Sequence, residues 1–272
     1  MKYFSLFLYI FLLFSSNTKG QLFDSKVYNV NPWIDGAITL GAFGMNTWGL
    51  AIADRKGELD SLEISQLDAN NINAFDRSAI RQDASKMYDA WDMSDIGMRG
   101  SFFLPALLLL DKEIRQDWAP VLMLYLQAEG INGSLWSWGA SIHIDRIRPL
   151  VYNPDVPMAE KPNVRNKNSF FSGHTSSSAA ASFFVAKVYT DYHPELGNKK
   201  FIFYGLAILP PAFTGFYRYK GMKHFRTDVL AGLAVGAATG ILVPHFHKHK
   251  DNNLTLIPVT GQFTGFAMTL KF

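Results

Sequence analysis

Gly232, Gly236 and Gly240 recur at every fourth position within an apolar stretch from Thr227 to Val243. Residues four apart share one face of an α-helix, so this spacing makes a stripe without side chains, suited to close approach by another helix. A second stretch, Ser172 to Tyr192, is rich in small residues (Ser176, Ser177, Ser178, Ala179, Ala180, Ala181) and ends near His193-Pro194. It reads as another tightly packing helix. The remaining apolar stretches are Gly36 to Ala53, Ser101 to Leu110, Trp118 to Leu126 and Phe201 to Phe216. Most fall short of the ~20 residues that cross a bilayer. They suit buried core helices and also short spans in a membrane bundle, and both readings stand.

The chain has 272 residues and no cysteine, which removes disulfide scaffolds, thiolate zinc sites and cysteine nucleophiles. A net charge of +3 is too even for a nucleic-acid reader. Any anion site must therefore be local. Residues 1–20 have a basic start, an apolar run from Tyr3 to Phe14, and small residues before Gln21, the pattern of an export signal. Export to the periplasmic side of a cell envelope is the expected localisation, with membrane association or insertion.

Residues 21–100 are expected to form an N-terminal helical segment and 101–250 the core bundle. Within 54–100 the apolar residues Leu62, Ile64, Leu67, Ala79, Ile80, Met87 and Trp91 suggest amphipathic helices whose charges are solvated. Prolines and asparagines mark a loop between 151 and 171. Residues 251–272 change to an alternating pattern and are expected to form a short β-hairpin tail.

Three segments concentrate groups suited to phosphate. Asp145-Arg146-Ile147-Arg148-Pro149 offers two guanidinium forks before a helix-stopping proline. Ser169 to Ser176 enters a helix through Ser172-Gly173-His174, where free backbone N–H groups and the helix dipole favour an anion. In Tyr217 to Asp228, His224 and Asp228 lie four apart. If the following helix extends back by a turn, the carboxylate would hold the imidazole Nδ1–H and free Nε2 as a nucleophile. Each segment alone also has an ordinary reading: surface charge, a helix cap, a surface His–Asp pair.

Together and in this order the segments resemble the type 2 phosphatidic acid phosphatase and vanadium haloperoxidase superfamily, whose pattern is KxxxxxxRP, PSGH and SRxxxxxHxxxD. The match comprises Arg148-Pro149, Ser172-Gly173-His174, and Arg218, His224 and Asp228 at the family spacing. The departures are Ser141 for the lysine, Phe171 for the proline and Tyr217 for the serine. Arg146, Lys220 and Lys223 are candidates to replace the lysine.

The resemblance implies an all-α helical bundle of the acid phosphatase/vanadium haloperoxidase type, to which the β-hairpin would be appended. It implies His224 as nucleophile, Asp228 as its partner and His174 as acid and base. Arg148, Arg218, Arg146 and the N–H groups of Ser172 and Gly173 would hold phosphate, with no metal or other cofactor and with vanadate as a phosphate-mimicking inhibitor. The expected substrate is a phosphorylated lipid or polyprenyl compound, hydrolysed as a monoester or pyrophosphate. The alternatives are a vanadate-dependent haloperoxidase and a non-catalytic envelope protein that binds lipid headgroups. His245, His247 and His249 are read as a basic helix end.

Overall fold

A computed structural model describes residues 22–249 and the backbone of 254–259 and 265–270. The expected export signal lies outside the described residues.

The longer helices are α1 (Pro32–Ala53), α2 (Met87–Phe102), α3 (Trp118–Ser134), α4 (Gly173–Tyr192), α5 (Lys200–Leu206), α6 (Leu209–Lys220) and α7 (Arg226–His247). Local chemistry sets several of their ends. Asn31 accepts hydrogen bonds from the N–H groups of Trp33 and Ile34, and Pro32 opens α1 where no intrahelical donor is needed. α3 runs on into a π-helical segment, Leu135–Ser141. Segments Leu254–Val259 (β1) and Gly265–Leu270 (β2) pair antiparallel, Leu254 opposite Leu270.

Three expectations change. The apolar run after Phe201 is two helices, because Pro210 and Pro211 cannot continue the bonding of α5 and instead open α6. Residues 54–86 form the five-residue α-helix Ser61–Ser65 and short 3₁₀ turns in place of the expected amphipathic helices. Asp60, Asp68 and Asp83 each accept a backbone N–H at the start of a new turn, which punctuates the segment. The proposed boundary at residue 100 falls inside α2, because the shift from polar to apolar composition occurs along one continuous helix.

The glycine stripe positions the site. A Cβ at Gly232 would fall 2.5 Å from the Ser172 carbonyl oxygen, and at Gly236 and Gly240 closer still to those of Ser176 and Ala180. Both series advance by four residues, so α4 and α7 run parallel, backbone against backbone, and their N-termini emerge at one end. Gly236→Ala is accordingly expected to lower the free energy of unfolding by about 2 kcal/mol or more. Gly41→Ala, on α1 with nothing within 4 Å of the added atom, should leave stability equal or slightly raised. Thermal unfolding of the two variants checks this pair.

At the other end, Asp191 accepts from Tyr28 Oη at 2.9 Å and from Lys248 Nζ at 2.8 Å, and also pairs with Lys187. His247 Nε2 bonds Asp35 at 3.0 Å. The histidine-rich end of α7 thus joins the start of α1 and the end of α4.

Candidate active site

The three motif segments meet at the N-termini of α4 and α7. Leu150 N–H donates to the Met222 carbonyl at 3.0 Å, joining the first segment to the third. Ser172 N–H donates to the Asp228 carbonyl at 3.0 Å, joining the second to the third. Between α6 and α7 the chain reverses through Met222, a buried residue at φ 55°, in the left-handed region that costs backbone energy for a residue with a Cβ. The reversal brings the N–H groups of Lys223 and His224 back onto the Arg218 carbonyl, at 3.0 and 3.3 Å.

His224 is 1% exposed, and its Nδ1 donates to the Ser169 carbonyl at 2.6 Å. Burial, then the Arg218 and Arg148 guanidinium groups, hold its pKa well below the ordinary value for histidine. The ring is therefore neutral near pH 7, with the Nε2 lone pair free. This differs from the expected arrangement in one respect. α7 begins at Arg226 and Phe225 is extended, so His224 and Asp228 do not share a helix face. Asp228 Oδ2 lies 3.8 Å from His224 Nδ1 and instead accepts from Ser169 Oγ at 2.6 Å and Phe225 N–H at 2.8 Å. The carboxylate positions the imidazole through Ser169.

Arg148 and Arg218 are 8% and 6% exposed. Among the described residues the Arg148 guanidinium has no carboxylate within ion-pair distance, and Nε of both arginines has no hydrogen-bond partner. Arg218 Nη1 reaches Ser94 Oγ at 3.3 Å and Asp95 at 3.9 Å. Burial pushes Arg148 down to about 10, and burial together with Arg148 pushes Arg218 down to about 9, so both stay charged at pH 7. Two buried, under-compensated cations carry a large desolvation cost, which a bound anion would offset.

Lys223 Nζ lies 3.3 Å from the centroid of the Trp91 ring, whose Nε1 donates to the Gly221 carbonyl at 2.6 Å. Burial, with Arg148 and Arg218 nearby, lowers Lys223 to about 7. Ser141 is buried with an unpartnered hydroxyl and offers no charge. Lys220 points to Gln82, at 3.0 Å, on the exposed surface. Lys223 is thus the lysine that stands beside the two arginines.

His174 is half-buried at the N-terminus of α4, and its Nε2 pairs with Asp95 at 2.9 Å. Ser172 caps that helix: its Oγ accepts the Thr175 N–H at 3.4 Å and bonds Thr175 Oγ1 at 2.8 Å. The Ser172 N–H is used by Asp228, so it is not available to an anion as expected from sequence. The N–H groups of Gly173 and His174 begin the helix, and the Trp136 ring packs against Gly173.

Arg146 is the second correction. It bridges Asp228 and Asp76, donates to Thr227 Oγ1 at 2.8 Å, and stacks on Phe225 with its Cζ 4.3 Å from the ring centroid. Its donors are committed to buried carboxylates, and it braces α7 where phosphate binding was expected. Asp76 also accepts the Thr227 N–H at 3.0 Å. Asp76 and Asp95, from a segment expected to carry solvated charges, hold Arg146 and His174 respectively. Their partners lie far away in sequence, so no local pattern marks them.

The PAP2 superfamily model matches residues 117–251. No curated protein matches the chain. One solved structure is similar, the first transmembrane PAP2 type phosphatidylglycerolphosphate phosphatase from Bacillus subtilis, with 22% identity and a TM-score of 0.44. That comparison covers 75% of this chain and 94% of the other. The order Arg148-Pro149, Ser172-Gly173-His174, Arg218, His224 and Asp228 falls within the matched residues, and the chain belongs to the PAP2 superfamily.

Proposed function

We propose that the chain is a phosphatase acting on a lipid-linked phosphate, a monoester or a pyrophosphate, through a phosphohistidine on His224. The observation that carries this reading is a buried, neutral imidazole beside two buried guanidinium groups that lack full compensation. Neutral nucleophile and cationic cradle suit attack on a phosphoryl group, where charge builds on the equatorial oxygens.

In this mechanism Arg148, Arg218 and the N–H groups of Gly173 and His174 hold those oxygens. His224 Nε2 forms the P–N bond as the P–O bond to the leaving group breaks, and His174 gives the leaving oxygen a proton. Water then loses a proton to His174, attacks phosphorus and displaces His224. Vanadate, which takes the five-coordinate shape of the transferring group, is expected to inhibit.

Lys223 replaces the charge missing at Ser141. Its ordinary affinity for a proton is lowered to about 7, so the free enzyme loses this charge above neutrality. A bound dianion favours the charged form and raises that value. Affinity for sulfate, whose own charge is constant, should therefore weaken above about pH 7, and Lys223→Met should flatten the dependence. Equal slopes in parent and variant would remove Lys223 from the anion site.

A lipid substrate is favoured by the outer surface. Trp33, Ile34, Trp48, Phe103, Leu110 and Phe246 are exposed, whereas Gln127, Glu129, Asn132, Ser176 and Ser178 are buried. Apolar outside and polar inside is the distribution of a protein seated in lipid. By length and composition, Ala84–Leu110 and Arg226–His247 can cross a membrane. An exported, periplasmic placement rests on the pattern of residues 1–20.

The test is release of inorganic phosphate from a panel of phosphatidate, phosphatidylglycerophosphate and polyprenyl pyrophosphate in mixed micelles, blocked by vanadate. Bromide oxidation requiring vanadate and peroxide, without phosphate release, would overturn the reading.

A further inference from the structure

The two motif histidines face different acceptors. His224 gives Nδ1–H to a neutral carbonyl, that of Ser169, at 2.6 Å. His174 Nε2 meets the Asp95 carboxylate at 2.9 Å. A carbonyl fixes a tautomer while leaving the ring neutral; a carboxylate also stabilises the protonated ring. Pairs of titratable groups whose surroundings differ in this way take opposite roles in acid–base chemistry. Asp95 lies on α2, before the residues 117–251 matched by the family model.

We propose that Asp95 is the positioning residue of His174: it accepts Nε2–H, leaves Nδ1 to carry the exchangeable proton, and holds the imidazolium charge until the leaving oxygen takes that proton. This rests on the phosphatase reading above. In the first step the Nδ1 proton passes to the leaving oxygen as its bond to phosphorus breaks and His224 Nε2 bonds to phosphorus. His174 is then neutral, still bonded through Nε2–H to Asp95. In the second step Nδ1 takes a proton from water, the water oxygen bonds to phosphorus, and the P–N bond returns its electrons to His224.

The charged and titratable groups around His174 are Asp95 and Arg99 on α2, Arg218 on α6, Lys223 and His224 in the turn before α7, and Arg148 in the first motif segment. Arg99 lies 3.6 Å from Asp95. Burial first, then Arg218, His224, Arg148 and Lys223, lower the proton affinity of His174. A phosphate dianion seated among those cations cancels much of their field. Asp95, 2.9 Å from His174 Nε2 and 3.9 Å from Arg218 Nη1, then supplies the fixed negative charge at Nε2.

The full chain in detergent micelles, with Asp95→Asn and Asp95→Glu, tests the proposal on two substrates. An alkyl phosphate such as octyl phosphate needs its leaving oxygen protonated; p-nitrophenyl phosphate scarcely does. Asp95→Asn is expected to lower kcat on octyl phosphate by about a hundredfold and on p-nitrophenyl phosphate by less than about tenfold, with inhibition by inorganic phosphate little changed. Its alkaline limb in kcat should move to lower pH, and Asp95→Glu should restore part of the octyl phosphate rate. Equal losses on both substrates would contradict the proposal. So would tighter phosphate binding with an undiminished rate, the signature of a carboxylate that only guards the anion site.

If the asparagine variant fails to fold, ¹⁵N NMR of histidine-labelled parent protein reads the tautomer directly. An Nε2–H signal for neutral His174 is expected, and an Nδ1–H tautomer overturns the proposal. Absence of phosphate release from both substrates by the parent would instead remove the phosphatase reading, while the tautomer measurement still reports on the pair.

Discussion

Replacing His224 with alanine is expected to lower phosphate release by at least about a hundredfold, with the helical bundle intact. The side chain is 1% exposed, its Nδ1 is held by the Ser169 carbonyl and among the described residues no hydrogen bond reaches its Nε2, so the loss falls on chemistry. The cavity left by the ring costs some stability, and a His224→Gln variant controls for it by retaining volume and a hydrogen-bonding end. Stopped or steady-state release of phosphate from a short-chain phosphatidate, beside the thermal transition of each variant, separates the two effects. A glutamine variant as active as the parent would mean that phosphorus is attacked by some other group.

Arg148→Met should abolish measurable turnover and at the same time make the protein more stable. The guanidinium is 8% exposed without a carboxylate in ion-pair range among the described residues, and Nε is unpartnered. Replacing such a buried charge by an apolar side chain of similar length removes a desolvation cost, and gains of about 1–4 kcal/mol are typical of buried ionic groups exchanged in this way. The parent should recover part of the difference when phosphate is added, because a ligand that binds only the folded state raises its stability. The variant should show no such response. Thermal scans with and without phosphate, run in detergent, measure both quantities. A variant less stable than the parent would show that Arg148 is compensated within the protein and is not held for an anion.

The parts legible in sequence were those with local or periodic signatures. The glycine stripe announced close helix packing, and its partner proved to be the small-residue face of α4, with Gly232, Gly236 and Gly240 set against Ser172, Ser176 and Ala180. The spacing of Arg218, His224 and Asp228 located the third segment, yet it misassigned the bond to His224. The helix starts two residues after that histidine, and the donor faces the Ser169 carbonyl. Arg146 looked like a phosphate ligand because a guanidinium near a proline is chemically suited to one. Its actual partners, Asp76 and Asp228, become visible only when the chain is folded. Asp95 was hidden for the same reason, whereas Lys223 was legible only as one of three candidates, with Arg146 and Lys220, to replace the lysine absent at Ser141. Asp95 stands on α2 among charges that read as a solvated face, and Lys223 follows Met222, whose unusual φ folds it back toward the arginines.

A crystal structure of the protein grown with orthovanadate tests the central claim most directly. The account requires vanadium bonded to His224 Nε2, with the equatorial oxygens within hydrogen-bond distance of Arg148, Arg218 and the N–H groups at the start of α4. Vanadate bound elsewhere, with His224 Nε2 still unoccupied, would contradict it.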